Sequence, residues 1–131
     1  MIVDSSAVVG ILNGEPSAEA LSDALVSARN RRMSAATLVE LYVVVDGTRD
    51  QVRSGRLAEL LRSSAVDHVR HGRGAHIARA ACRDFGRGSG HLARLNFGDC
   101  FSYPLAKVTG EPLLFNGDDF GHTDITLAVQ G

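Results

Sequence analysis

Met1-Ile2-Val3-Asp4-Ser5-Ser6-Ala7-Val8-Val9 is the stretch on which the reading of this chain turns. Two β-branched apolar residues lead into Asp4, two serines follow, and a second apolar run comes after them. The pattern predicts a short buried strand, Ile2-Val3, that ends at Asp4, with Ser5 or Ser6 capping the helix behind it. A carboxylate then stands at the carboxyl end of a strand, where open parallel sheets place their ligands. An isolated Asp in such a turn serves equally well as a helix cap. A functional role therefore requires other carboxylates at the same end of the sheet.

Working outward, Ser6 to Leu12 reads as a helix closed by the turn signal Asn13-Gly14. Pro16 opens a second helix, with Ala18, Leu21, Leu25 and Ala28 at helical spacing. Arg32-Met33-Ser34 is a short strand or link, and Ser34 or Thr37 caps a third helix running to Val45. Leu57, Leu60 and Leu61 mark a fourth helix, and Val66 to Val69 alternates as a strand. His71 to Phe85 reads as a fifth helix, followed by a glycine-rich loop, Gly86 to His91. Asn96 caps a sixth helix that carries Asp99 in its first turn, contains Pro104 and stops at Gly110. Pro112 to Phe115 is a strand, and Asp124 to Val129 a marginal one. Short apolar strands alternating with amphipathic helices predict an α/β fold: a parallel sheet of four to five short strands flanked by helices, in one domain spanning 1–131.

Composition agrees with a packed interior: of 131 residues, 44% are hydrophobic, enough for a core. The apolar stretches are broken by Glu40 and Asp46, short of the roughly 20 residues a membrane span needs. Met1 leads into the first strand without a signal-peptide pattern. The expectation is a soluble, cytoplasmic protein. Cys82 and Cys100 lack metal-site spacing and are expected as separate buried thiols. Net charge is −1, but residues 49–94 hold ten Arg against four acids, a balance of +6. The planar fork of Arg suits phosphate.

The acids outside that basic middle share one description. Asp4 ends the first strand, and Asp118 or Asp119 follows the Leu113–Phe115 strand. Glu40 and Asp99 lie in the first turns of helices that start from the carboxyl end of the sheet. Two carboxylates ~4 Å apart repel by about 4 kcal/mol at an effective dielectric near 20. A converging set therefore needs protons or a cation, and oxygen-only ligands point to Mg²⁺ or Mn²⁺ acting on phosphates.

These residues also resemble a known family. Asp4 in Ile-Val-Asp-Ser-Ser-Ala, Glu40 in Ala-Thr-Leu-Val-Glu, the run Leu95-Asn96-Phe97-Gly98-Asp99-Cys100-Phe101 and the run Leu114-Phe115-Asn116-Gly117-Asp118-Asp119-Phe120 resemble the PIN domain. More narrowly they resemble VapC toxins of type II bacterial toxin–antitoxin pairs, over essentially the whole chain. The resemblance implies an α/β/α sandwich and a Mg²⁺- or Mn²⁺-dependent endoribonuclease. It also implies a homodimer and inhibition by a cognate VapB-type antitoxin. Asp4, Glu40 and Asp99 match the family's core acids, and Asp118 or Asp119 supplies the fourth. Asp4, Asp99, Glu40 and Asp118 are the expected metal set, with Ser6 and Asn96 supporting. Arg73, Arg87, His91 and Arg94 are the expected RNA contacts. Two positions depart from the pattern: Pro104 inside the sixth helix, and Asn116 where a basic residue is common.

Two other readings compete. One is a PIN-like module that binds RNA or an antitoxin without cutting, which the intact acid set argues against. The other is a phosphoryl-accepting domain, which needs an acid pair at the first strand and a Lys near the last strands. Here Ser5-Ser6 follows Asp4, and the single Lys is Lys107, on a helix. The apolar positions Leu21, Leu25, Leu41, Val44 and Val45 are assigned to core, or alternatively to dimer or antitoxin contact.

Overall fold

The computed structural model of the chain describes residues 1–69 and 74–129, the side chains of residues 74 and 75 excepted. The elements in order are β1 (Ile2–Val3), α1 (Ser5–Asn13), α2 (Ala18–Ser27), β2 (Arg32–Ser34), α3 (Ala35–Asp46), α4 (Gln51–Ser63), β3 (Asp67–Val69), α5 (Gly74–Phe85), α6 (Asp99–Thr109) and β4 (Leu113–Leu114). A 3-10 turn, Asp119–His122, follows β4. The four strands form one parallel sheet in the order β3-β2-β1-β4. β1 lies inside the sheet, and the chain leaves it toward β2 before returning on its other side as β4. The crevice at the carboxyl ends of β1 and β4 is therefore a switch point, where such sheets bind ligands.

The two-residue period of a strand sorts the core into two layers. Val3 and Leu114 point to one face and pack with Val8, Leu25, Met33, Leu41, Val45 and Leu57 of the α1–α4 side. Ile2 and Leu113 point to the other and pack with Ala81, Leu95, Tyr103, Ala106 and Phe120. Helices thus cover both faces, the expected α/β/α arrangement. Leu21, Leu25, Leu41 and Val45 all belong to this core, whereas Val44 faces outward beside Val39, Tyr42 and Val43. No described helix is long and apolar enough to cross a membrane.

Three expectations change, and the open choice of cap for α3 is resolved. Asp4 itself, rather than a serine, caps α1, its Oδ2 accepting the Ser6 N–H at 2.9 Å. Ser34 caps α3 through the Ala36 N–H at 3.1 Å, which frees Thr37 for another contact. The expected strand over Asp124 to Val129 reduces to a single bridge between Leu127 and Leu113. β4 is two residues long, so the last segment finds only Leu113 to pair with, through the Leu113 N–H to Thr126 and the Ala128 N–H to Leu113. Cys82 and Cys100 are joined as a disulfide rather than standing as free thiols. The cause is packing: α5 lies along α6 and brings the two Cα atoms to 5.7 Å, within disulfide reach. Residues 71–73 of the expected fifth helix lie outside the described residues. α6 runs on through Pro104 to Gly110, whose φ of 66° provides the left-handed stop.

Leu114 is fully buried between β1 and the α1–α4 layer. Leu114→Ala is expected to cost about 2–5 kcal/mol, read as a lowered urea midpoint at unchanged slope.

Candidate active site

Asp4 leaves β1 at the carboxyl end of the sheet and has 0% of its surface exposed. Its Oδ2 accepts from the Ser6 N–H at 2.9 Å and from the Ser6 hydroxyl at 2.7 Å. Its Oδ1 accepts from the Ser102 hydroxyl at 2.5 Å. Ser102 has one proton and gives it to Asp4, so the 3.2 Å contact with Thr37 is a bond that Thr37 donates. A carboxylate offers four acceptor sites, of which these donors fill three. One remains, on Oδ1.

Asp99 is held by its own helix start. The Asn96 N–H donates to Asp99 Oδ2 at 2.8 Å, and the Asp99 N–H donates to Asn96 Oδ1 at 3.0 Å. This reciprocal pair is a capping box written with Asn and Asp, and it places Asp99 in the first turn of α6 as the sequence predicts. Glu40 arrives from the second turn of α3 and accepts from the Ser5 hydroxyl at 2.9 Å. Its carboxylate lies against Gly98: a Cβ there would sit 2.1 and 2.2 Å from the two Glu40 oxygens. A side chain at 98 would push the Glu40 carboxylate out of this position.

The acids perturb one another. Burial pushes the Asp99 carboxyl up to about 7, with further pushes from the charges of Asp4, Asp119 and Glu40. Glu40 is raised by its own burial and by Asp4, against the pull of the Ser5 bond. The charge of Asp119 thus reaches Asp99, whereas Asp118 is exposed and lines a separate groove with Ser17, Asn116 and His122. Among the described residues no Lys or Arg forms an ion pair with Asp4, Glu40, Asp99 or Asp119. No three His, Cys, Asp or Glu side chains among the described residues close on one point as a finished cage. A Mg²⁺-type ion does not need one, because it keeps several waters and takes one or two carboxylates. A buried, mutually repelling, oxygen-only set with open acceptor sites fits such an ion.

Of the expected contacts for an anionic polymer, Arg87 and Arg94 are exposed and carry no ion pair among the described residues. His91 is half-buried, packed edge-on against Phe85 at 4.8 Å, and its Nδ1 accepts the Ala93 N–H. Arg73 lies outside the described residues. Asn116 is occupied structurally, donating to Glu15 at 2.6 Å and accepting from the Ser17 hydroxyl at 2.7 Å. Sequence reasoning overlooked Ser5, Thr37 and Ser102. The signal was their spacing: Thr37 lies three before Glu40 and Ser102 three after Asp99, on the same helix faces as the acids.

A family model described as PIN domain matches residues 1–125. Ribonuclease VapC28 of Mycobacterium tuberculosis is 52% identical, covering 99% of this chain and 98% of its own length. Ribonuclease VapC42 of the same species is 51% identical, covering 98% of each. In structure the chain resembles Mycobacterium tuberculosis VapC20, described as a sarcin-ricin loop cleaving toxin, with a TM-score of 0.74 at 15% identity over 99% of this chain and 98% of that one. A toxin–antitoxin complex from Klebsiella pneumoniae contains a chain that matches with a TM-score of 0.69 at 15% identity, over 98% of each.

Two outcomes follow from this geometry. Gly98→Ala is expected to displace Glu40 and cut activity while leaving the far-UV circular dichroism intact, since the clash is with a half-buried side chain rather than backbone. The second concerns pH. The folded Asp99 holds a proton that the unfolded chain, with an ordinary value near 3.8, releases. Metal-free stability therefore falls as pH rises from about 4 to about 7 and is level above. Urea denaturation in EDTA across that range should show the slope, and Asp99→Asn should flatten it and raise the midpoint above about pH 7.

Proposed function

We propose, since this chain belongs to the PIN-domain family and within it to the VapC ribonucleases, that it is the toxin of a type II toxin–antitoxin pair and a metal-dependent endoribonuclease. The carrying observation is the carboxylate set: Asp4, Glu40, Asp99 and Asp119 come from separate segments, act on one another electrostatically, and have no cationic side chain among the described residues to neutralise them. Asp4 and Asp99 would hold the ion directly, with Glu40 and Asp119 acting through water or on a second ion. The charge of Asp119 on Asp99 favours it over Asp118 as the fourth acid. The all-oxygen set suits Mg²⁺ or Mn²⁺, which when bound supplies positive charge opposite the phosphate and activates water for in-line attack.

The chain's own groups prepare that site. Ser6 and Ser102 donate to Asp4 and fix the direction of its carboxylate. The Asn96 box fixes Asp99, and Ser5 restrains Glu40. Arg87 and Arg94, exposed and without an ion pair among the described residues, are the proposed contacts to the phosphates of an RNA strand. The same reading gives the partners: an RNA substrate, a VapB-type antitoxin, and a second copy in a homodimer. The outward Val39, Tyr42 and Val43 of α3 supply an apolar surface for a protein partner. The cytoplasm is the compartment where such a toxin meets its RNA.

Purified, antitoxin-free protein incubated with total cellular RNA should yield discrete fragments with Mg²⁺ or Mn²⁺ and none with EDTA. Asp4→Asn and Asp99→Asn should each lower the cleavage rate by at least about a hundredfold. Equal behaviour of wild type and both variants would instead identify a PIN-fold module that binds without cutting.

A further inference from the structure

Phe97 is 78% exposed, whereas Phe120 of the same region is 1% exposed. Its ring is nonetheless positioned. It meets Phe101 edge to face, with centroids 5.0 Å apart and planes at 82°. Its backbone is pinned on both sides, by the Asn96–Asp99 capping box before it and by Gly98 under the Glu40 carboxylate after it. Only Gly98 separates it from Asp99, so the two Cα atoms are at most about 7 Å apart.

Beside this ring lies a hollow of about 290 Å³ lined by Arg87, Asn96 and Phe97, together with Leu95 and the Cys82 and Cys100 pair. That volume is at the small end of ligand clefts, which begin near 300 Å³. Its polar groups are unspent: Arg87 is exposed without an acidic partner among the described residues, and Asn96 uses Oδ1 on Asp99, leaving Nδ2 to donate. An aromatic face, a guanidinium and a primary amide together match one ligand chemistry, an unpaired nucleobase with its phosphate. The ring stacks on the base, the amide reads its edge, and the guanidinium takes the phosphate or lies against the base plane.

We propose that Phe97, with Arg87 and Asn96, forms the subsite for the unpaired nucleobase adjoining the scissile phosphate, and that Phe97 is a specificity-determining residue. The subsite deepens the ribonuclease reading and rests on it. The sequence contains no Trp, so Phe97→Trp introduces a single indole at the subsite. In EDTA, where binding is separated from cleavage, a single-stranded oligoribonucleotide of mixed sequence should quench that indole, and the same backbone made abasic should not. Phe97→Ala should weaken binding of the intact oligoribonucleotide about 10- to 100-fold. Phe97→Leu should lose nearly as much despite its bulk, and abasic RNA should bind all three proteins alike. Unchanged melting temperatures would confirm that the fold is untouched. Absence of quenching together with unchanged binding by Phe97→Ala would overturn the subsite, even if wild type cleaves RNA with Mg²⁺. Quenching without any metal-dependent cleavage by wild type would uphold base binding and sink the ribonuclease reading instead. Quenching by the antitoxin alone, with none by RNA, would overturn the proposal in favour of a protein contact at Phe97.

Discussion

Taking an ionised carboxylate out of water costs several kcal/mol even after the surroundings relax, and Asp4 is taken out entirely. Three donors offset that cost, each bond to a charged group contributing about 1.5–3 kcal/mol. Supplying them constrains much of the molecule. α1 must begin immediately after β1 so that Ser6 can reach back. α6 must cross the sheet end with Ser102 over Oδ1. Because Ser102 has then spent its proton, Thr37 on α3 must turn inward to donate to it. One side chain thus sets three helices relative to the central strands.

Helix capping and ion holding are often treated as competing explanations for an Asp in a turn, and magnitudes separate them here. A cap contributes about 1 kcal/mol. Asp50 provides one for α4 through the Val52 and Arg53 N–H groups while remaining exposed, with no burial to offset. Asp4 caps α1 and Asp99 stands in the first turn of α6, but both are buried, and burial first, with the charges of Asp4, Asp119 and Glu40 added, raises the Asp99 carboxyl to about 7. A bond of that size does not justify burying a second carboxylate beside the first. The capping geometry aims these two acids, and a proton on Asp99 or, on the reading proposed above, a cation would make their proximity tolerable.

Much of this was legible in the sequence because it depends on local period and turn chemistry. Ile2-Val3 and Leu113-Leu114 alternate between two faces, Asp4 falls at a strand end and Asp99 in a first helical turn, whereas Glu40 falls one turn later than the sequence predicts. What stayed hidden depends on packing between distant segments. Ser102 and Thr37 look like any helix hydroxyls until α3 and α6 meet. Cys82 and Cys100 carry no sign of pairing until α5 lies along α6. The choice between Asp118 and Asp119 turns on how the 3-10 turn is rotated. Phe120 buries its ring against Phe115 at 5.0 Å, and in that turn Asp118 is exposed and Asp119 half-buried.

Asn116 shows how the charge balance of the site was set. Its backbone N–H donates to Ser6 Oγ at 3.0 Å, a service any residue except proline could give. Its side chain faces away from the acids and closes the turn between α1 and α2 through Glu15 and Ser17. The fit is close enough that a Cβ on Gly10 would come within 2.9 Å of Asn116 Nδ2. A basic residue here would have added a fixed positive charge directly after Phe115. With Asn in place, the described protein offers the carboxylates hydroxyl and amide dipoles but no counter-charge. Dipoles can orient a carboxylate and keep it ionised, yet they cannot cancel the repulsion among several. On the reading proposed above, a bound ion would supply the missing charge, and Arg87 and Arg94 are exposed cations available to the phosphate.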